Sequence, residues 1–274
     1  MQSMPEILPP ESPRTSGRMP GYDPGYGPDP RPPAPTARRG DSWASAPATY
    51  TLVGINCAVY LLMVLRGVSP TNPSVVDLVH WGANFGGYVL RGEWWRLLSA
   101  AFVHVGILHL ATNMWCLWNL GLLGEPLLGP AGVMAVYVLT GVAGNLLSVA
   151  VHPQVVGAGA SGAVFGLAGV LILLLKAKLL PVPQEEVRRL RRNVIYFAVV
   201  NFVIGGTSMF LRTSIQIDNM AHLGGFLCGL ALGAPLVPRI GAARNQYAFR
   251  SWAAYSGMAL LLVVVAFGIA SFWR

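Results

Sequence analysis

Residues 131 to 151, AGVMAVYVLTGVAGNLLSVAV, form a run of 21 residues with no acidic, basic or histidine side chain. Roughly 20 such residues cross a hydrocarbon core about 30 Å thick, and a lipid-exposed segment must pair its backbone internally, which a helix does. The same reading applies to stretches at approximately 48–65, 103–123, 157–175, 193–211, 215–237 and 251–272, making seven predicted spans. Charged residues are 11% of the chain, against about 25% in an ordinary soluble domain. The expected fold class is therefore an all-α polytopic membrane protein.

Residues 1–47 hold 12 of the 21 prolines along with many Gly, Ser and Arg. Such a composition cannot bury a core and predicts a disordered tail. It is too long and polar for a secretory signal peptide, so the first span is expected to stay as an anchor. Basic residues are retained on the cytoplasmic side. An inside N-terminus puts 14 of the 19 Lys and Arg there: five from the tail, six from Lys176, Lys178 and the RRLRR run, and Arg239, Arg244 and Arg250. Arg66, Arg91, Arg96, Arg212 and Arg274 fall outside. Topology thus accounts for the net charge of +8, and no nucleic-acid partner is expected. Cys57, Cys116 and Cys228 lie scattered in spans without CxxC spacing, which points to neither a disulfide framework nor a zinc ribbon. The two halves show no evident repeat of the kind that marks many transporters.

Polar side chains inside a span are costly and mark partners or function. Three even-numbered spans carry them: His104, His109 and Asn113 in the second, Ser161 in the fourth, and Asp218, Asn219 and His222 in the sixth. With the N-terminus inside, these spans all start at the outer face. The 1.5 Å helical rise then brings Asn113, Ser161 and His222 to similar depth, within about one or two turns. His109 and Asn113 share a face at i and i+4. Gly225, Gly229 and Gly233 line up with His222, and Gly162, Gly166 and Gly169 lie beside Ser161. Facing stripes of small residues let helices approach closely and would bring His222 within reach of Ser161. A serine hydroxyl becomes nucleophilic when an imidazole accepts its proton, and attack on a carbonyl needs fixed donors for the oxyanion. The Ser161 backbone N–H, His109 and Asn113 are the candidate donors.

From these residues the chain resembles the rhomboid family of intramembrane serine proteases. The matching positions are Trp95-Arg96; His104, His109 and Asn113 as HxxxxHxxxN; Gly121, Glu125 and Gly129 as GxxxExxxG; Gly159 to Gly162 as GASG; and Ala221-His222 followed by Gly225 and Gly229. The resemblance covers about residues 50–236. It implies a six-helix catalytic core at 48–237, with 238–274 as a cytoplasmic linker and a seventh transmembrane helix. It further implies Ser161 as nucleophile, His222 as general base and acid, His109 and Asn113 as oxyanion binders, and Trp95-Arg96 holding the outer loop at the membrane interface. Substrates would be transmembrane segments of other proteins, cut near the outer face of the cell membrane, with no metal or organic cofactor. Span five and the loop after it are the gate by resemblance. Asp218, four residues before His222, invites a Ser-His-Asp reading, but the family works with a dyad, and Asp218 can instead meet water or Arg212.

Taken singly, several of these features have plainer readings. GASG alone is common at membrane helix contacts. Glu125 and its flanking glycines read as structural, closing the inner end of span two before Pro130. Phe165, one turn after Ser161, is placed either under the His222 ring or in ordinary packing. Two other function classes fit fewer of the residues. A non-catalytic relative that binds membrane clients would typically lack Ser161 or His222. A metal or transport site at His104, His109 and His222 would need more ligands at matching depth than Asp218 supplies.

Overall fold

A computed structural model describes residues 45–176, 184–210, 218–237 and 244–273. The expectations for residues 1–44 and for Lys178, Arg212, Arg239 and Arg274 fall outside the described residues. Helix α1 (Pro47–Leu65) leads into a long connection that contains α2 (Val75–His80), β1 (Asn84–Phe85), α3 (Gly86–Val89) and α4 (Arg96–Ser99). Then come α5 (Ile107–Val151), β2 (Val156–Gly157), α6 (Ser161–Lys176), α7 (Gln184–Phe210), α8 (Asn219–Leu236) and α9 (Arg244–Phe272). Among the described residues α1, α5, α8 and α9 are long and apolar enough to cross a membrane, and α6 is apolar but shorter. The chain is a multi-pass, mostly helical membrane protein.

Helix α5 joins two of the expected spans, and the join has a local cause. Gly129 takes φ 73°, outside helical geometry, a conformation open to glycine. Pro130 follows as the first residue of the second half, where its missing N–H costs nothing. The span expected from 103 begins instead at Ile107, because Gly106 at φ 95° turns the chain into the helix. His104 therefore lies in the loop before α5.

Gly121 and Glu125 do not close a turn. The helix continues through them, and both receive the start of α1. Glu125, 3% exposed, accepts the backbone N–H groups of Ala48 and Thr49, each at 2.8 Å, and the Thr49 hydroxyl at 2.6 Å. Its carboxylate thereby satisfies helix N-terminal donors that lack intrahelical acceptors. A Cβ at Gly121 would lie 2.5 Å from the Thr49 side chain. This junction sits about 24 Å along α5 from His109, given the 16 residues between them and 1.5 Å per residue.

The core is built around α5, α6 and α8, which pack against one another, with α1 and α9 against α5 and α7 against α6. Leu117, Val133, Val136, Leu171 and Leu232 are buried at the centre. The long connection is tied down by Arg96, which is 6% exposed. Its guanidinium donates to the carbonyls of Val79 (2.6 Å) and Ala83 (3.2 Å) and pairs with Glu93 at 2.7 Å. It also sits over the rings of Tyr88 and Trp95. Of the expected interfacial pair, Trp95 faces outward at 53% exposed, while Arg96 organises the connection from within. β1 pairs antiparallel with β2, Asn84 opposite Gly157, and so joins this connection to the segment before α6.

Candidate active site

Gly159 begins the local construction. Its φ of +129° favours glycine, and a Cβ there would lie 2.6 Å from His109 Cε1. The segment is held on both sides: Gly159 N–H donates to Ala100 O at 2.9 Å, and Ala160 N–H approaches His104 Nε2 at 3.5 Å. The other nitrogen of His104 lies 3.3 Å from Phe102 O, so a proton on Nδ1 and a bare Nε2 satisfy both contacts. His104 is thus fully buried and braces the turn before Ser161. Val164 N–H bonds to Ala160 O at 3.0 Å, which makes Ser161 the first residue of α6. Its own N–H belongs to the helix-start donors that have no intrahelical acceptor.

Helix α8 meets α6 backbone to backbone. A Cβ at Gly225 would overlap the Gly162 carbonyl, and one at Gly229 would overlap that of Gly166. At Gly162 it would lie 3.3 Å from Ala221 O. This approach brings His222 Nε2 to 2.8 Å from Ser161 Oγ. The imidazole is 5% exposed and stacks on Phe165, with ring centroids 4.4 Å apart and 16° between planes. Among the described residues His222 Nδ1 has no hydrogen-bond partner.

Asp218 lies elsewhere. It is the N-cap of α8, with Oδ1 accepting from Ala221 N–H at 3.0 Å, and its Oδ2 accepts the Ser148 hydroxyl. The structure does not bring it to His222 Nδ1.

A cavity of about 780 Å³ opens on Ser161 and His222. His109 lines it from the first turn of α5, with Val105 N–H reaching its Nδ1 at 3.4 Å. An Nδ1 that accepts leaves the proton on Nε2, a donor. Asn113 is not among the lining residues. Its amide nitrogen donates to His109 O at 2.9 Å, which leaves one N–H of that nitrogen over. Two lining or supporting polar residues were not anticipated. Asn145 donates to Leu97 O at 2.9 Å and accepts from Asn84 on its own carbonyl at 3.1 Å; Ser148 holds Asp218. Lying three apart on α5, they share a face, and that spacing is the signal the sequence carries. Among the described residues no group of three His, Cys, Asp or Glu gathers as metal ligands.

A family model, the Rhomboid domain, matches residues 91–239. Rhomboid protease GluP from Bacillus subtilis (strain 168) is 32% identical over 195 residues, which are 71% of this chain and 36% of GluP. RHOMBOID-like protein 5 from Arabidopsis thaliana is 36% identical over 179 residues, 64% of this chain and 55% of that protein. Rhomboid protease AarA from Providencia stuartii is 28% identical over 211 residues, 69% and 73% of the two chains. The match thus spans about a third of the length of GluP and just over half of that of RHOMBOID-like protein 5.

Proposed function

We propose, since the chain belongs to the rhomboid family, that it is an intramembrane serine endopeptidase that cleaves transmembrane segments of other membrane proteins with Ser161 and His222. The contact of 2.8 Å between His222 Nε2 and Ser161 Oγ, buried at the edge of a cavity, carries this reading. The protease relatives lend it support through their names.

In the reaction, Ser161 Oγ attacks the scissile carbonyl carbon as His222 Nε2 takes the hydroxyl proton. The carbonyl π electrons move to oxygen. The donors proposed for that oxygen are the Ser161 N–H and His109 Nε2–H, both from residues that line the cavity, with Asn113, which does not line it, as a third. Phe165 faces the imidazole as it becomes cationic, and a ring face attracts a cation. Collapse of the intermediate breaks the C–N bond, and His222 passes its proton to the leaving amine. Water then attacks the acyl ester by the same route in reverse, returning Ser161 and releasing the acid. No step requires a metal or an organic cofactor. Among the described residues no carboxylate bonds to the base; stacking on Phe165 and the start of α8 orient it.

The wider layout belongs to the same reading: residues 48–237 as a six-helix core, 238–274 as linker and seventh span, and 1–47 as a cytoplasmic tail. On this reading the N-terminus is on the cytoplasmic side of the cell membrane and the cut falls near the outer face. The test is cleavage of a transmembrane substrate in liposomes by wild type, Ser161→Ala and His222→Ala, each checked for folding. Cutting by wild type alone supports the dyad. Equal cutting by Ser161→Ala refutes it, and no cutting by any folded form favours a client-binding relative.

A further inference from the structure

Among the described residues that line the cavity, Asp218 is the single side chain besides the two histidines that can carry charge. The other polar groups on its wall, such as Asn145, Gln154 and Ser74, are neutral. Both bonds that hold the carboxylate come from neutral donors, the Ser148 hydroxyl and the Ala221 N–H. They fix its position without cancelling its charge. Among the described residues the sole ion pair joins Arg96 to Glu93, so no described Lys or Arg lies within 4 Å of Asp218. Each carboxylate oxygen keeps a second lone pair. The group also borders β2, since a Cβ on Gly157 would lie 2.9 Å from its Oδ2. It therefore stands beside the wall that runs from Val156 to Ser161, within the cavity of the reacting pair.

A partly buried carboxylate with no described cation within 4 Å acts over several ångströms across the cavity and is screened less than an exposed one. Specificity is a difference of affinities, often set by what a site repels. We propose that Asp218 is a specificity-determining residue that reads the charge of the peptide segment in the cavity, favouring Lys or Arg side chains beside the scissile bond and rejecting Asp and Glu. The inference rests on the endopeptidase reading for what the segment is, and on the cavity alone for its charge preference.

Asp218→Asn separates charge from structure. Asparagine caps helices about as well as aspartate and retains an oxygen for Ala221 N–H and a polar partner for Ser148. Ser148→Ala is the converse, removing a tether and keeping the charge. Binding is measured by fluorescence anisotropy on full-length Ser161→Ala protein, so the result does not depend on turnover. The probes are labelled transmembrane peptides with an alanine host, each carrying Lys, Gln or Glu at one of the positions flanking a helix-breaking centre. The expected result is Lys bound at least about tenfold more tightly than Glu at one or more positions. Adding Asp218→Asn should bring that ratio to within about twofold of unity, whereas adding Ser148→Ala should preserve it. A ratio near unity in the Ser161→Ala protein, or one that survives Asp218→Asn, overturns the proposal, as does loss of the ratio in Ser148→Ala. A preserved ratio with wild-type protein that cuts nothing would overturn the endopeptidase reading and leave the charge preference standing.

Discussion

His222 is held by uncharged neighbours: Ser161 at its Nε2 and the Phe165 ring against its face. If the stacked ring stabilises the imidazolium, Phe165→Ala should lower kcat about threefold to tenfold with KM little changed, because aromatic stacking contributes about 0.5–1.5 kcal/mol. An unchanged kcat in steady-state assays would reduce Phe165 to packing. Glu125 sits far from this chemistry. Glu125→Gln should destabilise the fold by about 1.5–3 kcal/mol, the range for hydrogen bonds to charged groups. Thermal unfolding in detergent checks it, and equal stability would mean that Glu125 holds α1 no better than a neutral amide. At this scale the sequence displays Ser161 as the one hydroxyl in an apolar span and His222 as a histidine aligned with a stripe of glycines. Ser148 and Asn145 were hidden because serine and asparagine at helix contacts look like packing until the facing helix is known.

The start of α8 and the whole of α6 meet through glycine, and that interface fixes the distance between the reacting side chains. Gly229→Ala would drive a methyl into the Gly166 carbonyl, and overpacking of this kind costs about 1–3 kcal/mol. The variant should unfold earlier and cut more slowly. Gly257→Ala on α9, where a Cβ meets nothing within 4 Å, should leave both properties unchanged. If the two variants behave alike, close packing of α6 on α8 is not what sets the site. The glycine stripes were legible as a helical period, whereas the break inside α5 was only half legible. Gly129-Pro130 marks a boundary, yet the helix runs up to it on both sides. The role of Glu125 depends on α1 arriving from 76 residues away, which no local pattern displays.

Across the whole molecule, α9 leans on the rest at both ends. Phe267 meets Trp94 of the long connection with centroids 5.0 Å apart, and Arg250 donates to the Val237 carbonyl at 2.6 Å, next to the end of α8. The seventh span was read from its apolar length alone, and its contacts follow from tertiary packing that length does not encode. The chemistry proposed here runs on groups of the chain itself, so excess EDTA should leave the cleavage rate within about twofold. Loss of activity on chelation, restored by zinc, would instead revive a metal reading of the histidines. The most direct test of the central claim is cleavage of a reconstituted transmembrane substrate, followed beside labelling by a fluorophosphonate probe, in wild type and Ser161→Ala. The account predicts that wild type both cuts and labels while folded Ser161→Ala does neither; cleavage that persists without the Ser161 hydroxyl would contradict it.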